Sequence, residues 1–358
     1  MQRDVRRTIT TVGLAIGLMV LSACGDGPGS GAEGDTDPGV VATTPIWADV
    51  TSNVLCGEVE VTSIVPVGAD SHSFEPSVQD ADALRSVELV VANGLGLEEG
   101  LGATLRSAEE SGATVLELAP SLEPLDGHED DHGPDHEHAA HEHEADEHAS
   151  GEHDAGEHEA GEHAAGEHEA GHHHDVDPHV WMDPDRVAAA VPLIVDGLAG
   201  IDDLPVDAAR IDECAAAYVE ELRALSAEMD SMLATVPDGA RRLVTNHESL
   251  GYFADRFGFE IIGAVVPSTS SLGEASARDL DDLAVTMRDA DVTAIFAETT
   301  GSTEVSDGLA ERLGDQVSVV ELHTESTGDA GGDAATYVDM MRRNAELIAE
   351  HVGGSAPR

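Results

Sequence analysis

ELVVANGLGLEEGLGATLRSAEESGATVLELA, residues 88–119, decides how the chain folds. ELVVAN and ATVLELA are short apolar runs of the kind found in buried strands, and Glu98 to Ser111 between them carries a helical pattern. Upstream lie VVATT (40–44), a helical segment near Ile46 to Leu55, EVEVTSIV (58–65) and a helix starting at Ser77. Ser77 and Asp80 have the spacing of a capping box just ahead of that helix. From Val40 to Ala119 the pattern is therefore βαβαβαβ, which calls for a parallel sheet covered by helices on both faces.

The second half repeats the plan. RRLVT (241–245), SLGYFADRFG (249–258), FEIIGAVV (259–266), ARDLDDLAVTMRDA (277–290), VTAIFAE (292–298), a helix from Val305 to Leu313, VSVVEL (317–322) and a terminal helix from about Ala334 follow in order. The fold class is α/β with two similar lobes. Between them, residues 207–236 place Ile211, Ala215, Tyr218, Leu222, Leu225, Met229 and Met232 in one apolar stripe. Such a helix would be roughly 45 Å long at 1.5 Å per residue. It makes a stiff connector that disfavours wide hinge closure, and it leaves the cleft between the lobes as the expected ligand site. The expected organisation is thus an N-terminal lobe over 40–206, a connecting helix over 207–236 and a C-terminal lobe over 237–358.

The chain has 358 residues, no lysine, and a formal net charge of −55. A field of that sign repels nucleic acid and anionic lipid and concentrates cations, so no nucleic-acid partner is expected. Arg3, Arg6 and Arg7, an apolar run from Val12 to Leu21, and Leu21-Ser22-Ala23-Cys24 read as an export signal over 1–23. The apolar run is too short to span a bilayer permanently. Leu-Ser-Ala-Cys resembles the bacterial lipobox, which implies lipid modification of Cys24 and membrane contact through that anchor alone. Residues 24–39 are rich in glycine, proline and acid and read as a flexible tether. Cys56 and Cys214 remain, an even pair in an oxidising compartment; a disulfide is the favoured reading over two buried thiols.

Fourteen of the nineteen histidines fall between His128 and His174, within an acidic tract at 127–175 that includes four Gly-Glu-His-x-Ala units. The tract has no hydrophobic periodicity, so disorder and weak metal binding of variable stoichiometry are expected. The other histidines are His72, His179, His247, His323 and His351. His72 in VPVGADSHSFEPS follows a strand, His179 in DVDPHVWMDP is flanked by Pro178 and Pro184, and His247 in LVTNHESLGYF lies between a strand and a helix. All three can reach the carboxyl ends of the sheets. Three imidazoles suit zinc and need a fourth donor to close a tetrahedron. Glu325 in VVELHTESTG can supply it, and Glu298 in IFAETT competes for the place; His323 would point away from it and reads as structural.

These residues resemble the zinc and manganese solute-binding lipoproteins of bacterial ABC importers. The resemblance rests on SHSFEPS, DPHVWMDP, TNHESLGYF, IFAET and the late TES followed by a helix centred on Tyr337, and it covers nearly all of Val40 to Val352. It implies two lobes joined by one long helix, with metal held in the cleft by His72, His179, His247 and Glu325. Glu298 would then be a neighbour that orients a histidine. Relatives commonly carry aspartate at the fourth position, and manganese-type relatives tend to carry glutamate where this chain has His247. The resemblance thus implies Zn²⁺ as cargo, with Mn²⁺ the lesser alternative because manganese prefers oxygen donors. It also implies a permease in the cytoplasmic membrane as partner, a monomeric chain outside that membrane, and no enzymatic activity. A surface adhesin or metal store is the other class that a lipid anchor and histidine tract would suit.

Overall fold

β1 (Val40–Ala42), β2 (Thr62–Ser63), β3 (Leu89–Ala92) and β4 (Thr114–Glu117) form a parallel sheet in the order β2-β1-β3-β4. The computed structural model describes residues 39–126, 176–201, 204–314 and 316–353. The signal segment, Cys24, the tether through residue 38 and the histidine tract lie outside the described residues. β1 and β3 are buried along their whole length because helices cover both faces of the sheet. Those helices are α1 (Pro45–Val54), α2 (Val78–Leu84) and α3 (Gly102–Ser111). Ser77 and Asp80 form the capping box that starts α2. β2 pairs over only two residues. It is an edge strand whose sequence alternates exposed Glu60 and Thr62 with buried Val59 and Val61.

Two helices follow before the second lobe. α4 (Pro184–Leu198) is capped by Asp183 and tolerates Pro192 in its interior, and α5 (Ala208–Leu233) is the long connector. Sequence periodicity anticipated α5 but not α4. The second sheet holds β5 (Arg242–Thr245), β6 (Glu260–Ala264), β7 (Ala294–Glu298) and β8 (Ser318–Leu322), all parallel, in the order β6-β5-β7-β8. Its helices are α6 (Gly251–Phe257), α7 (Ala277–Asp289), α8 (Glu304–Leu313) and α9 (Tyr337–Gly353). Both sheets reverse strand order beside their first strand, so each lobe has a switch point where the loops at the carboxyl ends diverge. No helix among the described residues is long and apolar enough to cross a membrane.

One apolar cluster runs through both lobes. It takes in Trp47 and Leu89 from the first, Leu222 from α5, and Tyr252, Phe253, Tyr337 and Ile348 from the second. Polar pins reinforce it. Arg256 of α6 donates to Asp185 of α4 at 2.8 Å and to Ser226 and Asp230 of α5 at 2.7 and 2.9 Å. The Tyr337 hydroxyl donates to the Trp181 carbonyl at 2.7 Å. Lobes that share a desolvated core cannot swing apart without exposing it.

Cys56, just past α1, forms a disulfide with Cys214 of α5 across 158 residues of chain. The bond ties the connector to the N-terminal lobe. Replacing both cysteines with serine is expected to lower stability by about 3 to 5 kcal/mol in the loop-entropy account. Urea unfolding of the oxidised and the doubly substituted protein measures it, and equal midpoints would mean that packing alone holds α5 in place.

Candidate metal centre

Four loops deliver His72, His179, His247 and Glu325 to one buried point. Their nearest donor atoms all lie within 4.8 Å of one another, and each residue is at most 2 % exposed. Each loop is set by local chemistry. Beyond β2, Ile64 and Val65 continue the ladder by donating to the carbonyls of Ala42 and Thr43, and Asp70 then accepts from the His72 amide at 3.0 Å.

His179 is held most tightly. Asp126 and Val176 pair as an antiparallel bridge at the roots of the histidine tract, and the Asp177 amide donates to the Leu125 carbonyl. The Asn93 amide group, which receives a bond from Trp47, donates to the Pro178 carbonyl at 2.9 Å. The Tyr252 hydroxyl donates to the Asp177 carbonyl at 2.6 Å. Pro178 fixes the turn so that the Asp177 carboxylate folds back, accepting from the His179 amide at 2.9 Å and meeting Nδ1 of its ring at 2.7 Å. This requires Gly251 at the start of α6, where a Cβ would sit 2.5 Å from Asp177 Oδ2.

His247 follows β5, and its Nδ1 lies against Oε1 of Glu298, the last residue of β7. Glu298 is therefore outside the four-donor group and behind one of its members. Glu325 follows β8, whose end is clamped by Asn344 of α9 through both the amide and the carbonyl of His323. The Trp181 indole donates to the Thr324 carbonyl at 2.7 Å. The His323 ring turns instead toward the Thr299 hydroxyl, and His351 lies near the end of α9.

The three rings present Nε2 to a common centre. His179 Nε2 is 3.3 Å from that of His72 and 3.2 Å from that of His247. Donors at 2.0–2.1 Å around a tetrahedral zinc would be about 3.3 Å apart. Glu325 Oε1 lies 3.1 Å from His179 Nε2 and 3.7 Å from His247 Nε2, and Oε2 lies 3.9 Å from His72 Nε2. No donor outside the three histidines reaches either Glu325 oxygen. A buried carboxylate in that state calls for a cation.

In the metal-free protein the cation is a proton. Burial alone would push the His179 imidazole down, but the carboxylates of Glu325 and Asp177 outweigh it and hold the group up at about 10. Burial would likewise raise Glu325, yet His179, with His72 and His247, holds it at about 2. Burial pushes His72 down, only partly offset by Glu325. The centre thus holds one carboxylate, a His72 imidazole that burial keeps neutral and a His179 that must shed a proton.

The sequence reading missed Asp177. Its signal was the Asp-Pro-His order itself, because a proline between the two turns the aspartate back on the histidine.

The chain matches the family model described as ZnuA, zinc-uptake complex component A, periplasmic, over residues 40–351. It belongs to this family. The zinc-binding protein TroA of Treponema pallidum is 26% identical over 350 residues, covering 96% of this chain and 98% of that protein. The manganese-binding lipoprotein MntA of Halalkalibacterium halodurans is 25% identical over 336 residues, covering 92% and 95%. Among solved structures, the periplasmic zinc-binding protein TroA of Treponema pallidum superposes with a TM-score of 0.68 at 24% identity, covering 88% of this chain and 99% of that one. This likeness supports the two-lobed fold with a long connector. As a member of the ZnuA family the chain is a substrate-binding protein of a metal ABC transporter and not an enzyme.

Two outcomes follow for the centre. At about pH 8 metal uptake should release about one proton, the one on His179, and the release should fade as pH rises past about 10. Calorimetric titration in buffers of differing protonation enthalpy counts it. The same raised value stabilises the metal-free fold fully below the ordinary imidazole range, and that contribution is lost as pH rises through about 10. Secondly, Asp177→Asn should weaken metal binding by about 10–100-fold, since it unseats the ring that Asp177 orients. An unchanged affinity would mean that the backbone alone sets the ring.

Proposed function

We propose that the protein captures Zn²⁺ outside the cytoplasmic membrane and hands it to the permease of its ABC importer. His72, His179 and His247 bind through Nε2, and Glu325 is the fourth ligand. Asp177 and Glu298 orient His179 and His247 from behind. The observation that carries this reading is the donor set, three imidazole nitrogens to one carboxylate. Nitrogen-rich sites suit zinc, whereas manganese prefers oxygen. With four protein donors no coordination position is left for a reactive water, which fits cargo binding and not hydrolysis. The handover is ligand exchange, with no covalent bond made or broken.

Cys24 carries the lipid anchor in this reading, and the tether keeps the folded part close to the membrane. The histidine tract, rooted at Asp126 and Val176, raises the local zinc concentration beside the cleft and binds further ions weakly.

Metal analysis of protein purified without chelators, followed by titration, tests the proposal. One tight zinc per chain is expected, and it should survive deletion of residues 127–175, whereas the weaker ions should go with the tract. His72→Ala, His179→Ala or His247→Ala should each cost more than the about 10–100-fold typical of losing an outer partner. Glu325→Ala should cost less, because water can replace one carboxylate. Tighter binding of Mn²⁺ than of Zn²⁺ would make manganese the cargo, and loss of the tight ion with the tract would move the site away from the cleft.

A further inference from the structure

The four donors are buried, so a bound cation cannot leave while all four loops stay in place. Three of these loops are tied down firmly. The His179 segment is held by Asn93, Tyr252 and the Trp181 indole, the end of β8 by Asn344, and His247 leads into α6 within the shared core. The loop from Pro66 to Ser73 is different. Its middle is exposed at Val67 and Gly68, and its ties run to the opposite lobe. The Gly68 amide donates to Ser326 Oγ at 2.9 Å, next to Glu325. The Ser271 hydroxyl, on the loop between β6 and α7, donates to Asp70 Oδ2 at 2.6 Å. Asp70 Oδ1 meanwhile accepts from the His72 amide, and the Ser73 hydroxyl donates to Oδ2 at 2.8 Å. One carboxylate therefore joins the backbone of a donor residue to the facing lobe. At the far end the loop is anchored by close packing, since a Cβ on Gly100 would sit 2.2 Å from the Phe74 carbonyl oxygen. Phe74 is thus a fixed point about which the preceding residues can lift.

We propose that Asp70 and Ser271 form a clasp across the mouth of the cleft that positions His72 and sets the rate at which the bound cation escapes. The proposal rests on the reading that the four-donor cluster holds the transported ion. Asp70 and Ser271 are positioning residues and touch the metal only through His72. Breaking the clasp frees the loop to lift His72 away while the other three donors stay in place.

Dissociation of Zn²⁺, and separately of Mn²⁺, from the full-length chain is followed after mixing with excess chelator. The slow phase reports the cleft and the fast phase the histidine tract. Ser271→Ala should speed the slow phase about ten-fold, the size of one hydrogen bond to a charged acceptor. Ser271→Thr, which keeps the hydroxyl, should restore it. Asp70→Ala should speed release at least as much, and adding Ser271→Ala to it should change nothing further, since both act through one bond. A slow phase unchanged within about two-fold, or effects of the two substitutions that multiply, would overturn the clasp. Failure of the cargo reading looks different: the wild-type chain would then show no slow phase with zinc, and the clasp would be judged on manganese release.

Discussion

Glu325 is a carboxylate removed from water and met by no donor outside the three histidines. Such a group is costly unless a positive charge lies against it. The surrounding architecture meets that condition in two interchangeable ways. Without metal, His179 keeps a proton that neutralises Glu325. In the proposed zinc-bound state the cation would take the proton's place between Glu325 and the three imidazoles. Asp177 and Glu298 place carboxyl oxygens against Nδ1 of His179 and His247, on the far sides of those rings. Binding is thus a replacement of one cation by another in a preformed cage, and the fold need not create the site on arrival of the metal.

A preformed cage needs loops that hold their places, and the shared core supplies this. Switch points beside β1 and β5 splay the loops at the strand carboxyl ends, and the donor loops after β2, β5 and β8 leave from those ends. Each lobe alone could do only that. Because α4, α5 and the Trp181 segment pack into both lobes, the two sets of loops face each other at fixed distance. The disulfide adds a covalent tie at the end of α5 remote from the C-terminal lobe. The consequence is economy of motion: under the proposed clasp, exchange of cargo would move one loop and leave both sheets alone.

Much of this could be read in the sequence, and the parts that could not have physical reasons. Strand and helix alternation gave both sheets, because buried parallel strands are short apolar runs that helices rarely imitate. α5 was legible from its stripe, yet its last member was misread: Met232 is only half-buried and Leu233 is buried instead. A 3.5-residue spacing drifts by about 20° per heptad against a straight helix, so after three heptads the stripe has rotated onto the next residue. α4 escaped because Pro192 interrupts a pattern that the tertiary context nonetheless keeps helical. At the centre, the three histidines stood out because each sits in a loop past a strand or between prolines. Choosing between Glu325 and Glu298 was beyond sequence spacing, since both follow strands of the same sheet. Geometry separates them: one faces the Nε2 atoms, the other an Nδ1. The serines that bridge the lobes carry no sequence signal at all, because a hydroxyl in a loop is unremarkable until its partner from the other lobe is known.

The length of the Glu325 side chain bears on how discriminating the cage can be. Aspartate in that place would offer a nearer, more fixed oxygen. Glu325 instead spreads its two oxygens between different histidines, Oε1 toward His179 and His247 and Oε2 toward His72. A carboxylate so placed can give one oxygen to a four-coordinate ion or both to a larger one with little movement of the backbone. Discrimination between metals therefore cannot come from Glu325, and it falls to the nitrogen donors. Of these, His179 is locked by Asp177 and the contacts of the Asp177 carbonyl, and His72 sits on the loop tied across the cleft through Asp70. His247, backed by Glu298 and planted between β5 and α6, is the nitrogen donor on which the proposed preference for zinc would rest.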